Sequence, residues 1–182
     1  GAIPVITKDH NPGHEKAPKP EEFRSDDCLW FFNSVPAFIA ETGKWDFLNK
    51  VVPYGDEGED TVYGHLKQAL LFNLERMGAN GLPCGLLADW NDCLKLGYKG
   101  ESLFVAFQLR LGLTTYSDIS LRLGNKAESE WALIERDKLD KAIQAKCWDG
   151  EWFIWAITEN GLVYGTKTME EAIAESIDSS KE

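Results

Sequence analysis

The feature that most constrains this chain is a pair of long apolar-periodic runs with almost nothing between them. Leu103, Phe104, Phe107, Leu111, Tyr116, Ile119 and Leu123 recur near helical spacing over about 101–123. Gly124 and Asn125 interrupt the run, and Trp131, Ile134, Leu139 and Ile143 resume the period over about 127–147. Gly and Asn tolerate the left-handed conformation that closes a helix. Two helices joined so tightly read as a packed pair, and the large aromatic share of their apolar positions implies a wide helical interior.

Other segments supply further helices. Residues 1–24 hold Pro4, Pro12, Pro18 and Pro20 and read as an extended, loop-rich opening segment. Ser25, Asp26 and Asp27 are capping residues for a helix through Leu29, Trp30, Phe32, Val35, Phe38 and Ile39, kinked or split at Pro36 and ended by Gly43. A short helix is expected over 45–51, then a polar turn at 54–58. Asp60 or Thr61 caps a second long helix through Val62, Leu66, Leu70, Leu74 and Met77, stopping at Gly78. Residues 80–100 are rich in Gly and loop-like. A turn at 148–151 precedes two apolar runs flanking Glu159-Asn160-Gly161, which is a hairpin signal. A last helix is expected near Met169. With no β-α-β alternation, the fold class is mainly α, an α/α toroid or a bundle with a short β-hairpin. Periodicity alone does not separate those two.

Charge and cysteine usage exclude several functions. The formal net charge of the 182 residues is −11, the wrong sign for displacing phosphate counterions, so no nucleic-acid partner and no anionic membrane surface is expected. No apolar run approaches the roughly 18–20 residues of a membrane span. Cys28, Cys84, Cys93 and Cys147 contain no C-x-x-C pair and are too sparse for a disulfide framework. They read as reduced, mostly buried thiols in a cytoplasmic protein. His10 and His14 are four apart, but Asn11, Pro12 and Gly13 break any helix between them, so no metal site is read there. His65, mid-helix, reads as a packing or polar surface residue. Nucleotide-binding glycine motifs and the G-x-S-x-G elbow are absent.

The densest chemistry lies in Leu87-Ala88-Asp89-Trp90-Asn91-Asp92-Cys93-Leu94. A carboxyl beside an aromatic face is desolvated and suited to donate a proton. An indole offers a flat apolar face to a sugar ring, and Asn or Asp bonds hydroxyls. The competing reading is a capping loop, with Asp89 and Asn91 bonding local backbone and Trp90 buried. Asp26-Asp27 is likewise either a helix-capping pair or a carboxylate pair gripping substrate hydroxyls.

Taken together, Ser25-Asp26-Asp27 with Leu29-Trp30, Ala88-Asp89-Trp90-Asn91-Asp92-Cys93-Leu94, Gly100-Glu101-Ser102 with Phe104-Val105-Ala106, and Trp148-Asp149-Gly150-Glu151-Trp152 resemble the cellobiose phosphorylase family, glycoside hydrolase family 94. The resemblance spans nearly the whole chain in the same motif order. It implies that residues 1–182 are a fragment of a single (α/α)6 catalytic domain. It further implies inverting phosphorolysis of a β-linked glucoside, cellobiose-like, to α-glucose 1-phosphate and a free sugar. By the same resemblance Asp92 is the general acid, Trp90 contacts the sugar beside the cleaved bond, and Asp27, with Asp26, binds its hydroxyls. Arg24, two residues before Asp26, stands for the arginine the family carries a few residues ahead of the pair. Trp155 stands where a basic residue is expected. Inorganic phosphate is the co-substrate, with no cofactor, and its binding residues are expected beyond this chain. The resemblance allows a homodimer of the longer protein. An inverting hydrolase needs a second carboxylate roughly 6.5–9.5 Å from the acid to activate water. A phosphorylase does not, because phosphate is already an anionic nucleophile. The alternatives are a helical-barrel glycosidase using water and a non-catalytic carbohydrate-binding remnant.

Overall fold

The computed structural model describes residues 22–55, 57–91 and 93–166. The expected helix near Met169 and most of the expected opening segment lie outside these residues.

The first helical segment starts as a single 3-10 turn, Asp27–Trp30, and continues as α1, Phe31–Thr42. Pro36 lies inside α1, where it removes one backbone donor. Gly43 closes the helix at φ 70°, its N–H donating to the Ile39 carbonyl at 2.8 Å. A 3-10 turn follows at Trp45–Asn49. The expected short helix therefore ends two residues early, because Val51–Pro53 is a strand, β1. It pairs antiparallel with β2, Glu59–Thr61, in the register Val51 to Thr61. This hairpin was not expected from the sequence; its strands of three residues are too short to show alternation.

Thr61 ends β2 and caps α2, Val62–Leu74, its hydroxyl accepting the Gly64 N–H at 3.0 Å. The helix stops at Leu74, four residues before the expected Gly78. Gly78 instead donates to the Leu82 carbonyl at 2.7 Å, inside the turn that leads away from the helix. Next comes β3, Glu101–Ser102, then α3, Leu103–Arg122, and α4, Lys126–Lys146. Gly124, at φ 82°, makes the link between them, as its sequence position predicts. The expected start of α3 at Glu101 is corrected. The backbone of Glu101 and Ser102 pairs with Ile157 and Ala156 in a sheet, and the buried Glu101 carboxylate accepts the Asn80 and Leu82 backbone N–H groups at 2.9 and 3.1 Å. In that sheet β3 pairs antiparallel with β4, Ala156–Ile157, which pairs with β5, Val163–Tyr164. The hairpin around Gly161 is where the sequence placed it, extended by β3 on one side.

The core lies where the first helical segment and α2 meet the inner face of α3, with α4 behind. Leu29, Phe32, Leu66, Leu70, Leu109, Leu113 and Leu139 are all at most 3% exposed. Gly112 allows the close approach: a Cβ there would sit 2.9 Å from the Phe32 ring and 3.1 Å from Leu70. Among the described residues no helix is long and apolar enough to cross a membrane.

Candidate functional site

The two acidic motifs are brought together by backbone pairing. Leu87 donates its N–H to the Phe23 carbonyl at 2.9 Å, Arg24 forms an antiparallel bridge with Leu86, and the Ser25 hydroxyl donates to the Gly85 carbonyl at 3.1 Å. These contacts lay residues 23–25 along 85–87, so Asp26 and Asp27 emerge beside the loop that begins at Ala88. Leu86 holds a φ of 59°, uncommon for a non-glycine residue.

Within the loop, Asp89 behaves as a local organiser. It is 4% exposed. Its Oδ1 accepts the Asn91 N–H at 2.8 Å and its Oδ2 accepts the hydroxyl of Ser102. Asn91 repeats the pattern, its Oδ1 accepting the Cys93 N–H at 3.2 Å and its carbonyl the Leu94 N–H at 3.1 Å. The capping-loop reading of Asp89 and Asn91 thus holds. Its other half, a buried Trp90, does not: the indole is 67% exposed. Among the described residues its one ring neighbour is Phe104, at 5.8 Å between centroids.

Phe104 also meets Trp30, 6.4 Å away, and the Trp30 indole N–H donates to Asp26 Oδ2 at 3.1 Å. Asp26, 4% exposed, therefore reaches Trp90 through a row of three rings. Burial pushes the Asp26 carboxyl above the ordinary aspartate range. The charge of Asp89 pushes the same way, against the Trp30 hydrogen bond and the Arg24 charge. Asp27 is half-buried in the first turn of the 3-10 helix, and Arg24 is half-buried on the bridge to Leu86. Asp92 lies outside the described residues.

Beside Trp90 a cleft of about 300 Å³ is lined by Asn91, Phe104, Phe107, Phe153 and Trp155, among others. Phe104, Phe107 and Leu111 are 38–45% exposed, so they do not belong to the core, where the sequence pattern had put them. The reason is that α3 carries apolar residues on more than one face. Val105, Leu109 and Leu113 fill the core, and the Phe104 stripe turns outward. The sequence reading missed this stripe, Phe153 and Ser102 as parts of the site. Their signal was present as two apolar stripes on one helix, more than a single buried face needs. Among the described residues no three His, Cys, Asp or Glu side chains gather as a metal site. His65 bonds the Val52 carbonyl at 2.9 Å, away from the cleft. Cys28, Cys84 and Cys147 are buried free thiols and Cys93 is an exposed one; burial pushes Cys28 up to about 12.

Residues 6–180 match the catalytic domain of the glycosyl hydrolase 94 superfamily. Over 149 residues the chain is 38% identical to an N,N'-diacetylchitobiose phosphorylase of Vibrio proteolyticus, covering 81% of this chain and 18% of that protein. A solabiose phosphorylase of Paenibacillus borealis is 31% identical over 151 residues, 81% of this chain and 20% of the relative. A cellobionic acid phosphorylase of Neurospora crassa is 30% identical over 156 residues, 81% of this chain and 19% of the relative. The chain thus spans about a fifth of the length of these relatives.

Proposed function

The chain belongs to the glycosyl hydrolase 94 superfamily, and from that premise we propose that it carries the acid-bearing part of a disaccharide phosphorylase site. The reaction is phosphorolysis of a β-linked disaccharide with inversion. Phosphate attacks the anomeric carbon from the face opposite the leaving sugar, the glycosidic C–O bond breaks, and Asp92 gives its proton to the departing oxygen. The products are an α-glycosyl 1-phosphate and a free sugar. Trp90 presents its face to the sugar at the cleaved bond, while Asp27 and Arg24 bind hydroxyls. The helices form part of an (α/α)6 barrel. The phosphate-holding donors come from elsewhere in the longer protein.

One observation carries this reading: the backbone pairing of 23–25 with 85–87 sets Asp26 and Asp27 beside the loop whose Asp89, Trp90 and Asn91 line the aromatic cleft, with Trp90 near Phe104. Two of the carboxylates described there are engaged. Asp89 is bonded by Ser102 and Asn91, and Asp26 by Trp30. Neither of the two is presented as a base for water. The relatives are named for chitobiose, solabiose and cellobionic acid, so the sugar class is a disaccharide broader than cellobiose.

The test is phosphate dependence in the full-length protein. It is incubated separately with chitobiose, cellobiose and laminaribiose, with and without phosphate. Sugar 1-phosphate formed only when phosphate is present is the expected result. Free monosaccharide released equally without phosphate makes it a hydrolase on the same scaffold.

A further inference from the structure

The N-terminus of α3 and the acid loop share one hydroxyl. Ser102 is fully buried and held from two sides: its N–H donates to the Pro83 carbonyl at 3.0 Å, and in β3 it lies opposite Ala156 of β4. Its side-chain oxygen caps α3 by accepting the Val105 N–H at 3.2 Å. A hydroxyl has one proton to give, and the Ser102 proton goes to Asp89 Oδ2. The other Asp89 oxygen takes the Asn91 N–H. Asp89 is thus pinned between a rigid strand–helix junction and the backbone two residues on. Trp90 lies inside that span, and Asp92 follows Asn91 directly in the chain.

We propose that Ser102 and Asp89 form a positioning latch that fixes the Trp90–Asn91 turn to the start of α3 and so sets the placement of the acid that follows it. This rests on the function proposed above. The latch is a positioning device: it acts through Trp90 and Asp92. A hydrogen bond to an ionised acceptor is among the stronger kinds and is stronger still away from water. A displacement of about 1 Å at a reacting group can cost on the order of 100-fold in rate.

The test uses the full-length protein with Ser102→Ala, Asp89→Asn and a control, Thr61→Ala, which removes the cap of α2 without touching the loop. An amide at position 89 can accept one of the two donors but not both, so Asp89→Asn tests the latch if Ser102→Ala folds poorly. For Ser102→Ala, kcat on an unactivated disaccharide should fall about 10-fold or more, with KM changed less than about 3-fold. On a nitrophenyl β-glycoside, whose leaving group needs no proton, the kcat loss should shrink to less than about 3-fold. Thr61→Ala should lower Tm but leave kcat unchanged. Equal loss on both substrates, or none, overturns the latch. Amide hydrogen exchange gives a readout independent of activity: the segment 87–95 should exchange faster in both latch variants and not in Thr61→Ala. Unchanged exchange there overturns the latch even if the enzyme is a phosphorylase. Absence of sugar 1-phosphate from the wild type overturns the proposed function, while the exchange result still decides the latch.

Discussion

Near the start of α3 a carboxylate, Asp89, takes the hydroxyl of Ser102; towards its other end a second carboxylate, Glu128 of α4, takes the Tyr116 hydroxyl at 3.1 Å and the Lys67 ammonium at 2.5 Å. The second cluster joins three helices. The Tyr63 hydroxyl meets Ser120 at 2.7 Å, Tyr63 stacks on Tyr116 at 4.9 Å, and Lys67 lies over Trp131 at 3.0 Å. The bonding chemistry is similar at both ends. What differs is what the bonds restrain. At Glu128 they tie elements already packed through apolar faces. At Asp89 they hold a loop with little apolar packing of its own, whose Trp90 is largely in solvent. A polar cluster on packed helices contributes to stability, whereas the same cluster under a loop governs geometry.

The largest effects are expected at the acid and in the apolar core. Asp92→Asn in the full-length protein should cut turnover of unactivated disaccharide by roughly 10²–10⁴-fold, the usual weight of a general acid, with Tm unchanged. Near-normal turnover in steady-state kinetics removes Asp92 from the role. Leu109→Ala, in the fully buried centre of α3, should cost about 2–5 kcal/mol in denaturant unfolding. Its folded fraction should retain normal kcat.

Smaller effects are expected at the exposed Trp90 ring and at the carboxyls of Glu128 and Asp26. Trp90→Ala should raise KM and slow turnover while changing stability by less than about 0.5 kcal/mol, as for other exposed side chains. A thermal defect with normal kinetics would make Trp90 a packing residue. Glu128→Gln should cost about 0.5–1.5 kcal/mol at neutral pH without altering kinetics. The Lys67 bond, against burial, lowers the Glu128 carboxyl below its ordinary value. Its stabilisation is therefore present above the unfolded-state value of 4.5 and is lost as pH falls through the folded one. Urea midpoints of wild type and Glu128→Gln should converge on acidification. Asp26 has the opposite sign. Burial raises its carboxyl above 3.8, so its contribution is full below that pH and is lost as pH rises through the raised value. Asp26→Asn, which keeps an acceptor for Trp30, should be nearly neutral at low pH and no worse at neutral pH. A large loss at neutral pH would mean the charge itself is needed.

The helices were legible because long periodic runs with chemical stops act locally. Gly43 and Gly124 close α1 and α3 as their positions suggest, and Thr61 caps α2. The sheets were less so. β1, β2 and β3 have two or three residues each, and their pairing partners are remote or follow a turn. Glu101 shows why: by sequence it opens a helix, but its carboxylate is claimed by Asn80 and Leu82 about twenty residues earlier. At the site, the acidic motifs were readable as residue types. Their meeting was not, since it depends on the pairing of Phe23 and Arg24 with Leu87 and Leu86. Nor was the outward stripe of α3, because Phe104 and Phe107 satisfy a helical period as well as Leu109 and Leu113 do.

A single proton donor working with phosphate as nucleophile is the mechanism proposed for this site. The measurement that tests it most directly is the anomeric configuration of the sugar 1-phosphate, read by NMR during the first turnovers of the full-length protein on its disaccharide. The α-anomer alone is the predicted product, since one displacement inverts the β-linkage. A β-anomer would mean two displacements through a carboxylate nucleophile about 5–5.5 Å from the acid. That result would contradict the structural roles given to Asp26 and Asp89.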